Sequence, residues 1–577
     1  MIASRISLSA LALVLVCGTA RAQAADSAGE QVTAPPRPMQ GAQLPDPDAA
    51  VPEAQPGVPV DRPAPAIEVN SLGSIDGPAT GLLDAAQGGL GDSMWSGSAR
   101  ADIETMLARI PLVSPDPAIR ALARRLVLTR AEAPIGPAHR ALIAIRIDKL
   151  LDAGMIDEAG ALAASVQLKN DLDFARVQAD AILMAGRAGD TCGNLTSARL
   201  TEGELFWLQL RAYCAALSGD TAATELTRNV IDAEGLSDGA YNILVDDVLT
   251  HAVKPPGPIA KPTAMHVLLL RQVGLPIGGD LVGALGTSAN LLALKDTRNP
   301  PEIRLAAAER IIRTGAPTSA DLVALGDSKN TPASTGFVSQ QLTLRRAALL
   351  ETRSAEKAAL VEKALAFGDQ NGLFAVAAGL QADIAASIKP DAALRQSAPL
   401  IAKALLLAGK PVADWLSQDS ASDRLLIDLV TPGRLGDPQT PGDLREIARH
   451  LQSDPRKPNA AAPHEALLLG LYDALGRSPS SGTKPSVVSV SARHWQGRRP
   501  SDDAMQALMQ AAAQPDRKGE AVLRILDAVG ARGPGDLAPD VSIEFVRTLM
   551  QLGLDDAALA LAAETLLLYR PPTPPSP

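Results

Sequence analysis

The stretch Ala153-Gly154-Met155-Ile156-Asp157-Glu158-Ala159 decides the fold. A glycine stands between two apolar-periodic runs, and a small alanine follows it five residues later. The glycine suits the turn that ends one helix, and Ala159 lets the second helix approach the first closely. The same arrangement recurs at Gly553 and Ala558. Gly154, Gly186 and Gly219 lie 32 and then 33 residues apart (186 − 154 and 219 − 186), so from Arg140 onward the helices come in pairs. Upstream, Ile103, Met106, Leu107 and Ile110 make one helical stripe, and Ile119, Leu122, Ala123, Leu126 and Val127 make the next. Pro111, Pro115 and Pro117 separate the two, as helix breakers do. The predicted class is all-α: an α-solenoid of stacked antiparallel helix pairs.

Composition supports that class. Hydrophobic residues make up 46% of the chain and aromatics only 2%, which leaves Ala, Leu, Val and Ile to fill narrow spaces between close helices. Ala and Leu also lead the helix propensity scale, and no useful run of dense Val, Thr and Tyr alternation signals strands. At 577 residues the chain exceeds one compact core. The breaks Lys254-Pro255-Pro256-Gly257-Pro258 and Ser478 to Ser486 divide it into predicted segments at 95–253, 262–477 and 491–570. These segments remain able to stack into one curved array, because each repeat of a solenoid contacts its neighbours. The formal charge of −10 argues against nucleic acid, which needs a concentrated Lys/Arg footprint. Arg345-Arg346 and Arg498-Arg499 are short pairs that read as solvated patches.

The N-terminus reads as an export signal. Arg5 supplies the positive start, Leu8 to Val16 form an apolar run too short to span a bilayer comfortably, and Ala20-Arg21-Ala22 and Ala22-Gln23-Ala24 offer small-x-small cleavage patterns. Residues 1–24 are therefore the expected signal peptide, cleaved near Ala22 or Ala24, with an uncleaved anchor as the alternative. A lipoprotein reading through Cys17 meets a bulky Val16 directly before it. Residues 25–94 are read as a disordered Pro/Ala/Gly-rich linker, ending where Met94-Trp95 can dock on the first helices, and 571–577 as a Pro-rich tail. Cleavage leaves Cys192 and Cys214, an even count in an oxidising compartment. Cys214 shares a helical face with Trp207, Leu210 and Leu217, and Cys192 lies in a turn, Gly189 to Gly193, before that helix. A Cys192–Cys214 disulfide closing this 22-residue separation is worth about 3 kcal/mol in the chain-entropy account. Two buried free thiols are the alternative.

The period near 34 with a glycine turn resembles the tetratricopeptide repeat in degenerate form. Gly88-Gly89-Leu90-Gly91, Met94-Trp95-Ser96-Gly97, Leu107-Ala108-Arg109-Ile110-Pro111-Leu112, Arg120 to Leu126, and Cys192 with Trp207 and Ala212-Tyr213-Cys214 are similar to a further group. This is the set of exported alphaproteobacterial proteins labelled "antifreeze glycopeptide polyprotein". That resemblance implies an exported protein and supplies no catalytic residues. The label implies ice binding through Ala-Ala-Thr arrays, and Thr residues occur singly here.

The search for chemistry returns no catalytic, cofactor-binding or metal residue. His139, His251, His266, His450, His464 and His494 are never within one helical turn of each other, and no His-Glu-x-x-His or Cys-x-x-Cys occurs. Gly91-Asp92-Ser93-Met94 and Gly326-Asp327-Ser328 resemble the start of an esterase block without its strand or its late Asp-x-x-His. Gly278-Gly279-Asp280 lacks the strand that would aim a phosphate loop. Glu202-Gly203-Glu204 reads as acid at a helix start, and Asp246-Asp247 and Asp555-Asp556 lack the alternating ligands of a calcium loop. The expectation is an exported, periplasmic scaffold for an envelope protein or peptide, with no enzyme activity, cofactor or nucleic-acid partner. Two alternatives stand: a cell-wall-binding or wall-modifying enzyme with a helical superstructure, and an envelope spacer.

Overall fold

The apolar stripes read from the sequence are the buried faces of the first two helices. In α1 (Arg100–Arg109) the buried apolar residues are Ile103, Met106 and Leu107, and in α2 (Pro117–Leu128) they include Ile119, Leu122, Ala123, Leu126 and Val127. These positions belong to a computed structural model that describes residues 79–110, 112–166, 171–193, 204–327, 334–390, 394, 398–412, 414–416, 420–430, 442–447, 462–477 and 495–569. The expected signal peptide, most of the linker, the 478–486 break and the Pro-rich tail lie outside the described residues.

The first glycine turn joins α3 (Leu142–Asp152) to the helix Ile156–Ala164. Gly154 adopts φ +74°, and the Met155 amide donates to the Leu150 carbonyl at 2.8 Å while the Gly154 amide donates to Leu151 at 3.0 Å. That paired bonding is a Schellman cap, in which a left-handed residue satisfies the last carbonyls of a helix. Gly186, Gly219 and Gly553 repeat it, with φ +78°, +74° and +68°. Ala159 and Ala558 are fully buried. Along the array many helices pack on the next and, in several places, on the next but one. Among the described residues no strand forms, only isolated bridges such as Thr80 with Ala131 and Arg498 with Leu537. The molecule is all-α.

Three features differ from the sequence reading, two of them boundaries. Residues 79–94 are not linker: Leu90, Met94 and Trp95 lie in the core, and the Leu82 and Leu83 amides donate to the Leu128 carbonyl at 2.8 and 2.9 Å. Arg146, 1% exposed, holds this segment by donating to the carbonyls of Val127, Thr129 and Thr80 at 2.6, 2.6 and 2.9 Å. The break at 254–258 does not divide the core either, because Val248, Ile259 and Met265 share one apolar cluster that runs from Ile156 to Leu380. Finally, Arg346 and Arg499 are exposed as expected, but Arg345 is buried and Arg498 half-buried. Arg345 forms a two-pronged pair with Asp383 at 2.7 and 2.8 Å, and Arg498 donates to the carbonyls of Ala528 and Val529.

The ends of the array meet. One apolar cluster contains residues of α1, α2 and α3 together with Leu425, Leu471, Leu526, Phe545 and Leu561. Helix Lys518–Val529 packs on α1 and α2, and the last helix, Asp555–Leu568, packs on α2. Backbone bonds reinforce the seam: the Gly519 amide donates to Met94 at 2.6 Å and the Gly97 amide to Asp516 at 3.0 Å. Glu520, buried in that seam, accepts from Arg517 and Arg524 at 2.7–2.9 Å. These hydrogen bonds outweigh burial and hold its carboxyl below the ordinary value. The described residues form one compact unit.

Candidate functional site

Cys192 and Cys214 are joined as expected, with 5.5 Å between their Cα atoms. Cys214 sits on helix Leu205–Leu217 and packs against the apolar core. Cys192 lies in a short helix, Ala188–Gly193, rather than in an open turn. Several other residues singled out in the sequence sit in ion pairs or backbone hydrogen bonds. Asp92 pairs with Arg130 at 2.6 Å, Glu204 pairs with Arg176, and Asp246 pairs with Arg228. The carboxylate of Asp247 accepts the Lys254 amide at 2.6 Å. His266 is fully buried; its Nδ1 accepts the Thr263 amide at 3.2 Å, and its Nε2 lies 3.2 Å from Asp238. Burial lowers its pKa, and the Asp238 charge opposes that fall. His450, His494, Glu202 and Ser328 lie outside the described residues. Among the described residues no three His, Cys, Asp or Glu side chains group to hold a metal.

The site that sequence reading missed is the corner Ser114-Pro115-Asp116-Pro117, where the chain enters α2. Asp116 occupies the N-cap position, and Pro117 stands at the first helical residue, both favoured there. Yet the Asp116 side chain does not cap its own helix. The Ala118 amide donates instead to Glu564 Oε2 of the last helix at 3.0 Å. Ser114 Oγ accepts the Asp116 amide at 3.1 Å and holds the corner's shape.

Two loops from distant parts of the chain press on this corner. Gly315 has φ +70°, and a Cβ there would meet the Ser114 carbonyl oxygen at 2.1 Å. Gly533 has φ +77°, and its Cβ would stand 1.9 Å from Asp116 Oδ2. Glycine alone supplies both the left-handed backbone and the clearance. Arg120, one turn into α2, donates to the Gly315 carbonyl and forms no ion pair among the described residues.

The electrostatics follow from burial. Desolvation raises Asp116 from 3.8 to about 6; hydrogen bonding to Ser114 and the Arg120 charge pull it down, and Asp536 pushes it up. Glu564, 3% exposed, is raised by burial and then by the Asp116 charge, against the Ala118 and Ile119 amides and Arg120. Its Oε1 has no hydrogen-bond partner among the described residues. Burial lowers the pKa of Arg120, opposed by Glu564 and Asp116. Two carboxyls with raised pKa values beside a desolvated cation are the kind of cluster that functional sites hold.

A cavity lies on each side of the corner. The first, about 380 Å³, is lined by Pro115, Pro117 and Arg120 together with Ser319, Val376 and Lys410. The second, about 250 Å³, is lined by Asp116 and Asp536, with Arg313, Arg532 and Phe374. Nothing in sequence spacing relates residues 116, 315, 410, 533 and 564. The one local signal was the Pro-x-Pro corner itself, which reads as a helix separator. Compared with known proteins, the chain matches no family, no curated protein and no solved structure.

Proposed function

We propose that the protein is an exported helical-repeat scaffold that mediates protein–protein interaction in the bacterial cell envelope and performs no catalytic step. Stacked helix pairs present long surfaces suited to a partner helix or an extended peptide. The observation that carries the reading is the helix Thr221–Ala233. It packs on helix Leu205–Leu217 and buries Thr224, Thr227 and Ile231. Leu226 and Val230, one turn apart, stay 67% and 39% exposed, and Leu236 just beyond is 41% exposed. Apolar residues grouped on one exposed helix face mark contact surfaces better than scattered ones do. Among the described residues no helix is long and apolar enough to cross a membrane, and the disulfide is compatible with export.

The test is photo-crosslinking in cells from position 226, with position 556 as control. Capture of one or two abundant envelope proteins from 226 alone supports the scaffold. Capture of nothing but the protein itself sinks it and favours the spacer role. A second reading, a wall-modifying enzyme, draws on Asp116, whose raised carboxyl lines a cavity. Release of peptidoglycan fragments by the purified protein, abolished in Asp116→Asn, would establish that reading.

A further inference from the structure

The larger cavity has a charge balance unlike the rest of this acidic molecule. Arg120 and Lys410 line it and no carboxylate does, while the chain carries 64 acidic against 54 basic residues. Neither cation forms an ion pair among the described residues. Arg120 spends one nitrogen on the Gly315 carbonyl and lines the cavity, and it feels the Glu564 and Asp116 charges without a contact ion pair. Its planar fork suits a carboxylate in two-pronged contact, whereas Lys410 acts as a mobile point charge. The Ser319 hydroxyl, at the first residue of helix Ser319–Gly326, adds a donor and has no hydrogen bond among the described residues. The acid nearest that helix start, Asp321, is engaged by Thr318 Oγ1 at 2.7 Å.

The remaining wall is apolar and small: Val376, Leu407 and Ala375, with Pro115, Pro117 and Pro317. A bare phosphate would satisfy the cations and leave this wall without a partner. A carboxylate on a short apolar stem matches both halves. At about 380 Å³ the cavity falls at the small end of ligand pockets, which suits the last residues of a chain rather than a long segment.

We propose that this cavity binds the C-terminal carboxylate of a peptide ending in small apolar residues, with Arg120 and Lys410 holding the carboxylate and Ser319 donating to it. The proposal rests on the scaffold reading for the nature of its occupant. It adds to the exposed helix face a second site that reads chain ends, the capture of a terminal carboxylate being a recurrent recognition mode.

Calorimetric titration of the full chain tests it with acetyl-Ala-Ala-Ala bearing a free carboxylate, the same peptide as its amide, propionate, and inorganic phosphate. The free-carboxylate peptide is expected to bind at least tenfold more tightly than the other three. Lys410→Gln and Ser319→Ala should weaken it, the first by about tenfold, with an unchanged melting temperature. Because Arg120→Gln also touches the corner, Ala375→Leu serves as a second blocking variant that fills the cavity without altering charge. Equal binding of acid and amide, tighter binding of phosphate, propionate as tight as the peptide, or no binding at all would each overturn the proposal. Failure here, with position 226 still capturing partners, leaves the scaffold standing. Failure of that capture, with the peptide still bound, removes the scaffold and keeps the carboxylate site.

Discussion

Asp116 stands where a helix wants a capping acid, yet it yields the α2 amides to Glu564 from the other end of the chain. A carboxylate at a helix N-terminus gains from the dipole and from the unpaired amides, but both acids lose solvent here. Glu564→Ala removes the acceptor for Ala118 and is expected to cost about 1–3 kcal/mol. Glu564→Gln keeps an acceptor and removes the charge, so at pH 7.5 it should match or exceed the native stability; urea midpoints of the two variants check this. The pH dependence has a definite sign. Asp116 binds its proton more tightly folded than unfolded, so its stabilising contribution is fully present below about pH 4 and is lost as pH rises through about 6. The rise from 3.8 to about 6 corresponds to about 3 kcal/mol. Asp116→Asn should therefore reduce the gain in urea midpoint from pH 7.5 to pH 5, while Asp180, which burial also raises to about 6, keeps a contribution of the same sign. Gly533→Ala should destabilise by more than about 1 kcal/mol, since its left-handed backbone and the 1.9 Å approach to Asp116 both exclude a side chain. An unchanged midpoint would show that the loop shifts freely. None of this was legible in the sequence. Gly533 and Glu564 lie hundreds of residues from the start of α2, and only folding makes them its neighbours.

At the scale of elements, helix ends were legible and helix partners were not. The glycines at 154, 186, 219 and 553 end helices because each adopts the left-handed conformation that closes a Schellman cap. The apolar stripes of α1 and α2 became their buried faces, because 3.6 residues per turn leaves little choice of side. The break at 254–258 misled, since a proline run ends a helix without ending a core: Ile259 packs straight back into the cluster. The disulfide ties helix Ala188–Gly193 to helix Leu205–Leu217 across 22 residues. Reduction, or Cys192→Ser with Cys214→Ser, is expected to lower stability by about 2–4 kcal/mol. Denaturation with and without reductant measures it, and coincident curves would mean the helices hold each other without the bond.

At the largest scale the decisive feature is that the two ends of the described helical array pack together. Open solenoids gain stability repeat by repeat and unfold in parts. Here α1 and α2 share one core with the helices from Lys518 onward, so both ends should open as one unit. Hydrogen exchange is expected to give α2 and Asp555–Leu568 the same opening free energy, and Glu564→Ala should lower both together. Protection lost in the last helix alone would show that the seam is not cooperative. By itself the sequence determined the all-helical class, the buried stripes, the glycine turns and the pairing of the two cysteines. Each of these follows from local rules, either helical period and backbone conformation or the short reach of a disulfide. The tertiary structure decided which helices meet across the seam, that residues 79–94 belong to the core, and that Asp116, Arg120 and Glu564 share one corner. Those outcomes depend on contacts between segments whose separation in sequence carries no periodic signal, so packing and desolvation alone select them.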